Sequence, residues 1–578
     1  MYILGISCFY HDAAACLLLD GVPVAAASEQ AFTRKKHDER FPSHAIRWAL
    51  NQAEITMDQV DLIAFHEKPL VKFERILKSH LHSFPKSFPQ FVRGIPSWFS
   101  TKLRLDKILQ KEFGYDGAIV YGHHHLSHAA SAFYASGWDE ATLLTVDGVG
   151  EWSTATSGVG RGTQIELQTE ARFPHSLGLL YSAFTAYLGF KVNSAEYKVM
   201  GLAPYGEPRY VDNIKQMFHI KEDGTFRMDM RYFEFDFGLR MYNQAFEEVM
   251  GQPTRPMESG SLDQFHKDVA RSIQEVVNES MVKLATSAVN QSGVPRLCMA
   301  GGVALNCVAN GHILRDSPVE EIFIQPAAGD AGGAMGAALW AWHSLLNKPR
   351  KWKMENAYLG PGYSEQQIQE TLDGFGAVYK RLDRPDLLER TAELIDQAHV
   401  IGWYQGRLEW GPRALGHRSI LGDARHPEMR DIINRKIKFR EGFRPFAPSV
   451  LEECVGQYFH LDRPSPYMLL VAQVNSEAEA LPAITHVDNS ARIQTIHRSQ
   501  DELYYDLIDA FRKRTGCGVI INTSMNVRGE PIVNTPTDAY QCFMRTHMDV
   551  LVCGPFLLLK EDQPEIDIAS AEEAFGLD

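Results

Sequence analysis

The chain is short of several features that would narrow its function quickly. It has eight cysteines in 578 residues, and no two of them form a C-x-x-C pair. Cys8, Cys16, Cys298, Cys307, Cys454, Cys517, Cys542 and Cys553 are scattered, several within apolar runs. That excludes a thiolate metal knuckle and fits buried free thiols in a reducing compartment. No apolar run reaches the roughly 20 residues that a membrane-spanning helix needs. The opening Tyr2–Ile6 stretch is strand-like, with no basic n-region, so a cytoplasmic location without a membrane partner is expected. Positive charge is also scarce: Lys+Arg number 58 against 72 Asp+Glu, a net charge of −14. Such a balance argues against a nucleic-acid-coating surface and leaves room for a local basic pocket.

The remaining composition, 45% apolar and 22% charged, is that of an ordinary globular protein. A chain of 578 residues exceeds one hydrophobic core, so two or three domains are expected. The most informative stretch is Gly122-His-His-His-Leu-Ser-His-Ala-Ala-Ser131. His124 and His128 stand four apart, on one face of a helix, where two imidazoles can reach one ion. His125 occupies the place of the glutamate in H-E-x-x-H, which removes the zinc-protease reading. Asp147 and Asp330, each beside glycine at the end of an apolar run, are suited to complete a His/His/Asp/Asp set. Mixed N/O donors suit iron, manganese or zinc better than calcium. The plain alternative is a polar helix start with satisfied histidines.

The first 28 residues read as strand, turn, strand, hairpin turn, strand, with His11 and Asp12 in the first turn. That turn is either merely polar or a site where Ala13 and Ala14 let a ligand approach. Residues 141 to 169 repeat the pattern, again with an Asp (Asp147) at the first turn. Such a repeat is what a duplicated ribonuclease-H-like, actin-type domain would show. Lys35 and Lys36 form a basic patch, either a solvated face or a phosphate contact. Residues 66 to 117 read as an irregular insertion, 193 to 206 as loop-rich with a buried Lys198, and 262 to 290 as a long amphipathic helix. Two strand–glycine–helix turns follow, one carrying Gly301, Gly302 and Asn306 and one carrying Asp330. Both would set backbone N–H groups against an anionic or nucleotide ligand. The division expected is 1–345, a basic linker at 346–360, and a second domain at 361–578. In that second domain Arg413, Arg418, Lys438, Arg444 and Arg492 lie among Gly and Pro or at strand ends, and Asn522 and Ser524 close a strand. Stiffly held guanidinium groups suit phosphate or carboxylate.

Phe9-Tyr-His-Asp-Ala-Ala14, the His124/His128 helix, Val146-Asp-Gly148, Lys198 to Gly206, Gly301 to Asn306, Gly411-Pro-Arg-Ala-Leu-Gly416 and Arg444-Pro-Phe-Ala-Pro448 occur in that order. Together they resemble the O-carbamoyltransferases that decorate nodulation factors, cephamycins and aminoglycosides. The resemblance leaves out only about 66–117 and 207–260. It implies an α/β protein with a duplicated actin-like N-terminal domain and a YrdC-like α/β C-terminal domain. In the C-terminal domain carbamoyl phosphate and ATP (with Mg2+) would give carbamoyl-adenylate and pyrophosphate. The carbamoyl group would then move to the hydroxyl of a small-molecule acceptor (a natural product, sugar or polyketide) in the N-terminal domain. The resemblance further implies a divalent metal, iron by preference, on His124, His128, Asp147 and Asp330. Gly301, Gly302 and Asn306, with Lys198, would lie in the nucleotide site of the N-terminal domain. Arg413, Arg418, Lys438, Arg444, Arg492, Asn522 and Ser524 would hold carbamoyl phosphate and ATP. His11 is the nearest candidate general base, with Asp12 or a metal-bound group as substitutes. A monomer or homodimer is expected.

Other function classes fit less of the sequence. An actin-fold small-molecule kinase would explain the glycine turns and aspartates but neither the histidine pair nor the arginine-rich second domain. A nucleotide or metal sensor would bind without turnover. A tRNA-modifying role meets the acidic balance.

Overall fold

The computed structural model describes residues 1–257, 262–438, 446–475 and 481–565. The chain divides into two compact units, Met1–Glu29 with His37–Met354, and Gln30–Lys36 with Glu355–Asp578.

The first unit contains two five-stranded sheets of one design. In the first, β1 (Tyr2–Ser7), β2 (Ala14–Leu19) and β3 (Val22–Ser28) are successive antiparallel neighbours. β4 (Leu62–Phe65) and β5 (Ile119–Tyr121) then add in parallel on the other side of β1, for an order of β3-β2-β1-β4-β5. The second sheet is built from β6 (Glu140–Val146), β7 (Ser153–Arg161), β8 (Gln164–Arg172), β9 (Arg296–Ala300) and β10 (Glu321–Ile324). Its order, β8-β7-β6-β9-β10, repeats the first, with the same two parallel additions. This is the duplicated ribonuclease-H-like, actin-type arrangement. β1 and β2 are buried along nearly their whole length and read as near-continuous apolar runs. The edge strand β8 is mostly exposed and carries Glu166, Glu170 and Arg172, which discourage further pairing.

Segment 66–117, expected to be irregular, is helical: α1 (Pro69–His82), α2 (Phe88–Ser97) and α3 (Leu105–Phe113). Pro69 and Pro89 lie in the first turns of α1 and α2, where a missing N–H costs nothing, whereas Pro96 lies inside α2 near its C-terminal end. The loop expected between 193 and 206 likewise contains a helix, Glu196–Leu202. Further along come α4 (His124–Ser136), α5 (Gln264–Ser292), α6 (Cys307–Asp316) and α7 (Asp330–Trp340). Helix α7 packs on β1 and β2 and against α4, which in turn lies along β9 and β6. The close approach depends on missing side chains. A Cβ on Gly5 would fall 1.9 Å from the Ala334 carbonyl oxygen, and one on Gly336 would fall 1.8 Å from that of Ser127. The two helices that carry three of the four metal-site candidates are thereby pressed together.

The second unit is α/β, as the YrdC-like reading expects. Its nine-stranded mixed sheet comprises β11 (Lys380–Arg381), β12 (Ile401–Tyr404), β13 (Arg418–Asp423), β14 (Ala447–Leu451), β15 (Leu470–Gln473), β16 (Ser490–Ile496), β17 (Val519–Ser524), β18 (Val550–Cys553) and β19 (Phe556–Leu559). The order is β11-β19-β18-β12-β13-β17-β14-β16-β15. Its core includes Trp403, Tyr404, Tyr504, Phe511 and Ile520, all at most 1% exposed. All eight cysteines are buried and free. Among the described residues no helix is long and apolar enough to cross a membrane.

Candidate functional site

Helix α4 begins at His124 because a carboxylate from elsewhere caps it. Glu151 accepts the His124 backbone N–H at 3.0 Å and the Lys68 N–H at 2.8 Å. An anion at a helix N-terminus satisfies free N–H groups and the dipole together. The next turn places His128 beneath His124, with their Nε2 atoms 3.0 Å apart. Asp147 leaves the end of β6 with Oδ2 at 2.9 Å from His124 Nε2 and 3.3 Å from His128 Nε2. Its Oδ1 accepts the Gly302 N–H at 3.0 Å. Asp330 opens α7, its Oδ1 3.6 and 3.5 Å from the same two nitrogens.

These four side chains are buried, and one ligand atom from each lies within 4.8 Å of the others. Two imidazole nitrogens turned toward each other and toward two carboxylates leave charge and lone pairs to be satisfied. Asp330 Oδ1 has no hydrogen-bond partner among the described residues. Burial pushes the His128 imidazole down, but the bond to Asp147 and the negative charges of Asp147 and Asp330 more than offset it, to about 9. Burial likewise pushes Asp330 up, yet His11, His124 and His128 leave it below the ordinary carboxylate value in spite of Asp147. A divalent cation answers both demands, and the two-nitrogen, two-oxygen set fits iron, manganese or zinc. A second trio, His66, Glu67 and His124, also lies within range. Its carboxylate, however, is engaged by Lys72 Nζ at 2.5 Å. His125 is structural: its Nδ1 meets Thr145 Oγ1 at 2.6 Å and its Nε2 meets the Ser153 carbonyl at 2.8 Å.

His11 stands beside this cluster with its ring 23% exposed, Nε2 3.7 Å from Asp330 Oδ2 and Nδ1 3.1 Å from Asp12 Oδ2. Asp12 adopts φ +51° and also meets His37 Nδ1 at 2.8 Å. Burial lowers the His11 pKa, but Asp330, Asp12 and Asp147 raise it to about 10. A cation on Asp330 and Asp147 would cancel much of that upward pull.

The other expected residues of the first unit divide between ligand-ready and committed. Gly301 has φ +94°, and a Cβ there would fall 2.3 Å from the Val146 carbonyl oxygen. The turn it permits lets the Gly302 N–H hold Asp147. Asn306 caps α6, accepting the Ala309 N–H at 3.1 Å, and exchanges two amide bonds of 3.1 Å with Gln274. Lys198 is 1% exposed, its Nζ 5.7 Å from the Phe190 ring centroid.

In the second unit Arg413 is half-buried in a loop between Gly411 and Gly416, at φ +119° and +121°. Glu409 organises that loop: its Oε1 accepts N–H groups of Leu415 at 2.8 Å, His417 at 2.8 Å and Arg418 at 3.1 Å. Arg418 itself requires a correction. It is 0% exposed and donates to the carbonyls of Gln405, His417, Pro361 and Gly406, with the Tyr404 ring 3.8 Å away. It is a core arginine, with no surface left for a phosphate. Arg492 is half-buried on β16 opposite Val471. Asn522 is buried on β17, donating to Gln494 Oε1 at 2.8 Å, and Ser524 donates to Asn526 at 2.7 Å. Arg444 lies outside the described residues, and Lys438 outside those with described side chains. Reading the sequence missed Glu67, Lys72, Arg75, Glu151 and Glu409. None of these carries a local signal beyond its own charge.

Two family descriptions match the chain: the carbamoyltransferase N-terminus over residues 2–339 and the carbamoyltransferase C-terminus over 392–560. Protein sll1178 of Synechocystis sp. is 50% identical over 614 residues, covering all of both chains. Nodulation protein NolNO of Sinorhizobium fredii is 38% identical over 567 residues, 96% of this chain and 79% of that protein. The 3'-hydroxymethylcephem-O-carbamoyltransferase of Amycolatopsis lactamdurans is 33% identical over 288 residues, 50% of this chain and 53% of that protein. With both halves matched in order, the chain belongs to the carbamoyltransferase family and is an enzyme that transfers carbamoyl groups.

Proposed function

We propose that this enzyme is an ATP-dependent O-carbamoyltransferase that works in two steps. In the second, YrdC-like unit, carbamoyl phosphate, ATP and water give carbamoyl-adenylate, pyrophosphate and phosphate. In the first unit the carbamoyl group passes to the hydroxyl of a small-molecule acceptor, a natural product, sugar or polyketide, and AMP leaves. The reading rests above all on the convergence of His124, His128, Asp147 and Asp330 within 4.8 Å in an actin-like unit. A carbamoyl carbonyl is a poor electrophile, and adenylation gives it a better leaving group. Those four residues would hold a divalent metal, iron by preference, which would supply Lewis-acid polarisation to the adenylate when bound.

The chain's own residues have the remaining tasks. Asp12 accepts from His11 Nδ1, which leaves Nε2 as the nitrogen to take the acceptor's proton. The hydroxyl oxygen then bonds to the carbamoyl carbon as the bond to AMP breaks. Gly302 fixes Asp147 through its N–H, and Glu151 fixes the start of α4. In the second unit Arg413, Lys438, Arg444 and Arg492 would neutralise phosphate charge, with Asn522 and Ser524 offering neutral hydrogen bonds. The named relatives make a hydroxymethyl group on a small molecule the first acceptor to try.

The test supplies ATP, carbon-labelled carbamoyl phosphate and 3'-hydroxymethylcephem or a hydroxylated sugar. Label in the organic product together with AMP is expected. ADP with a phosphorylated product, indifferent to carbamoyl phosphate, would replace this reading by an actin-fold kinase.

A further inference from the structure

Arg75 lies on the inner face of α1 with 7% of its surface exposed. The ring of Phe173 packs 4.8 Å from its guanidinium carbon, and its Nε is buried with no hydrogen-bond partner among the described residues. The carboxylates nearest in electrostatic terms are occupied elsewhere. Glu67 takes Lys72 Nζ at 2.5 Å. Glu151 takes the backbone N–H groups of Lys68 at 2.8 Å and His124 at 3.0 Å. Burial accordingly lowers the Arg75 pKa to about 10, against the upward pull of Tyr10, Glu67 and Glu151.

A buried guanidinium without its own counter-ion is a standing cost to the fold. Its surroundings point to what would relieve that cost. Glu151 caps the helix that carries the metal-site histidines, and Glu67 Oε2 lies 3.9 Å from His124 Nδ1. Lys72, three residues earlier on the same helix face, sits 5.1 Å over the ring of Tyr10, the neighbour of His11. Arg75 thus shares Tyr10, Glu67 and Glu151 as electrostatic neighbours with the surroundings of the His124/His128/Asp147/Asp330 site. A planar fork of N–H donors matches a phosphate better than a point charge does.

We propose that Arg75 is an anion-binding residue of the first unit, receiving the phosphate of the adenylate, and of the AMP left after transfer, beside the metal cluster. The identity of the anion rests on the two-step reading above. Binding is measured without turnover, so either idea can fail alone.

The experiment uses the full, metal-loaded chain and two variants, Arg75→Met and Arg75→Lys. AMP and inorganic phosphate are the probes, followed by titration calorimetry, with thermal unfolding measured in parallel. Arg75→Met is expected to weaken AMP binding at one site by about tenfold or more, since charge-assisted bonds are lost. It is also expected to unfold at the same or a higher temperature, because an uncompensated buried charge is gone. Arg75→Lys, which keeps the charge but not the fork, is expected to weaken binding less. Unchanged AMP and phosphate affinity in Arg75→Met would overturn the proposal. If that variant fails to fold, Arg75→Lys decides: full wild-type affinity in it would count against the guanidinium as the binding group.

Discussion

Asp330→Asn removes one of the four converging ligands while keeping the side chain's shape and its place at the start of α7. In the metal-free chain the change is expected to lower stability, since burial and Asp147 raise the Asp330 pKa but His11, His124 and His128 more than offset them and favour the ionised carboxylate in the fold. With metal the two proteins should diverge. At a metal concentration about a hundredfold above Kd, the wild type gains about 2.7 kcal/mol. In a unit of about 350 residues, unfolding entropy of about 2.1 cal/mol/K per residue turns this into a rise of roughly 4 °C. Changes to groups that merely orient metal ligands cost about 10–100-fold in affinity, so losing a ligand should cost at least about a hundredfold. The same metal concentration then stabilises Asp330→Asn by only about 0.4 kcal/mol, well under 1 °C. Thermal unfolding by circular dichroism, with manganese and with anaerobic ferrous iron, reads the difference. A wild type indifferent to both metals, or a variant that gains as much as the wild type, would refute the metal assignment.

Three further outcomes follow from the geometry. Gly336→Ala should destabilise the first unit by about 3 kcal/mol or more and abolish the metal-induced rise, because its Cβ would fall 1.8 Å from the Ser127 carbonyl oxygen; a folded variant with normal metal response would contradict this. Glu409→Gln should speed amide hydrogen exchange at Leu415, His417 and Arg418 by at least about tenfold, since bonds to an ionised acceptor are roughly twice as strong as neutral ones; unchanged protection would show that the carboxylate does not hold the Arg413 loop. Burial, with help from Arg350 and against the Lys348 carbonyl, holds His343 down at about 4. Its neutral form is thus favoured in the fold. The stability it contributes is present above the unfolded value of about 6.5 and is lost as pH falls toward 4, roughly 2 kcal/mol of it by pH 5. His343→Phe, which keeps an aromatic ring against Tyr134, should show a shallower loss of stability between those pH values, and an equal slope would refute the assignment.

The legible parts of the molecule were those governed by short-range periodicity. The H-x-x-x-H spacing, the apolar strand ending at Asp147 and the glycine-rich start of α7 each announce themselves within about ten residues. The repeat of strand, turn and strand carried the duplicated sheets in the same way. Helices α1 to α3 were missed in a segment where prolines and aromatics interrupt the apolar periodicity, although Pro69 and Pro89 stand in first turns and Pro96 is accommodated within α2. Arg418 was misread because an arginine among Gly and Pro suggests a stiffly held ligand, whereas backbone carbonyls and an aromatic ring satisfy it in the core. Asn306 could have been read locally: an Asn before a helical run is first of all a cap. Arg75, Glu67 and Glu151 could not, because their roles come from partners brought together only by folding. Glu151 meets Lys68 across 83 residues of chain and His124 across 27.

The most direct test of the two-step mechanism is exchange of labelled pyrophosphate into ATP by the full chain, with and without carbamoyl phosphate and with no acceptor present. Exchange that requires carbamoyl phosphate is the predicted result, since only reversible adenylate formation returns pyrophosphate to ATP. ATP consumed to ADP, with no label entering ATP whether or not carbamoyl phosphate is supplied, would contradict it.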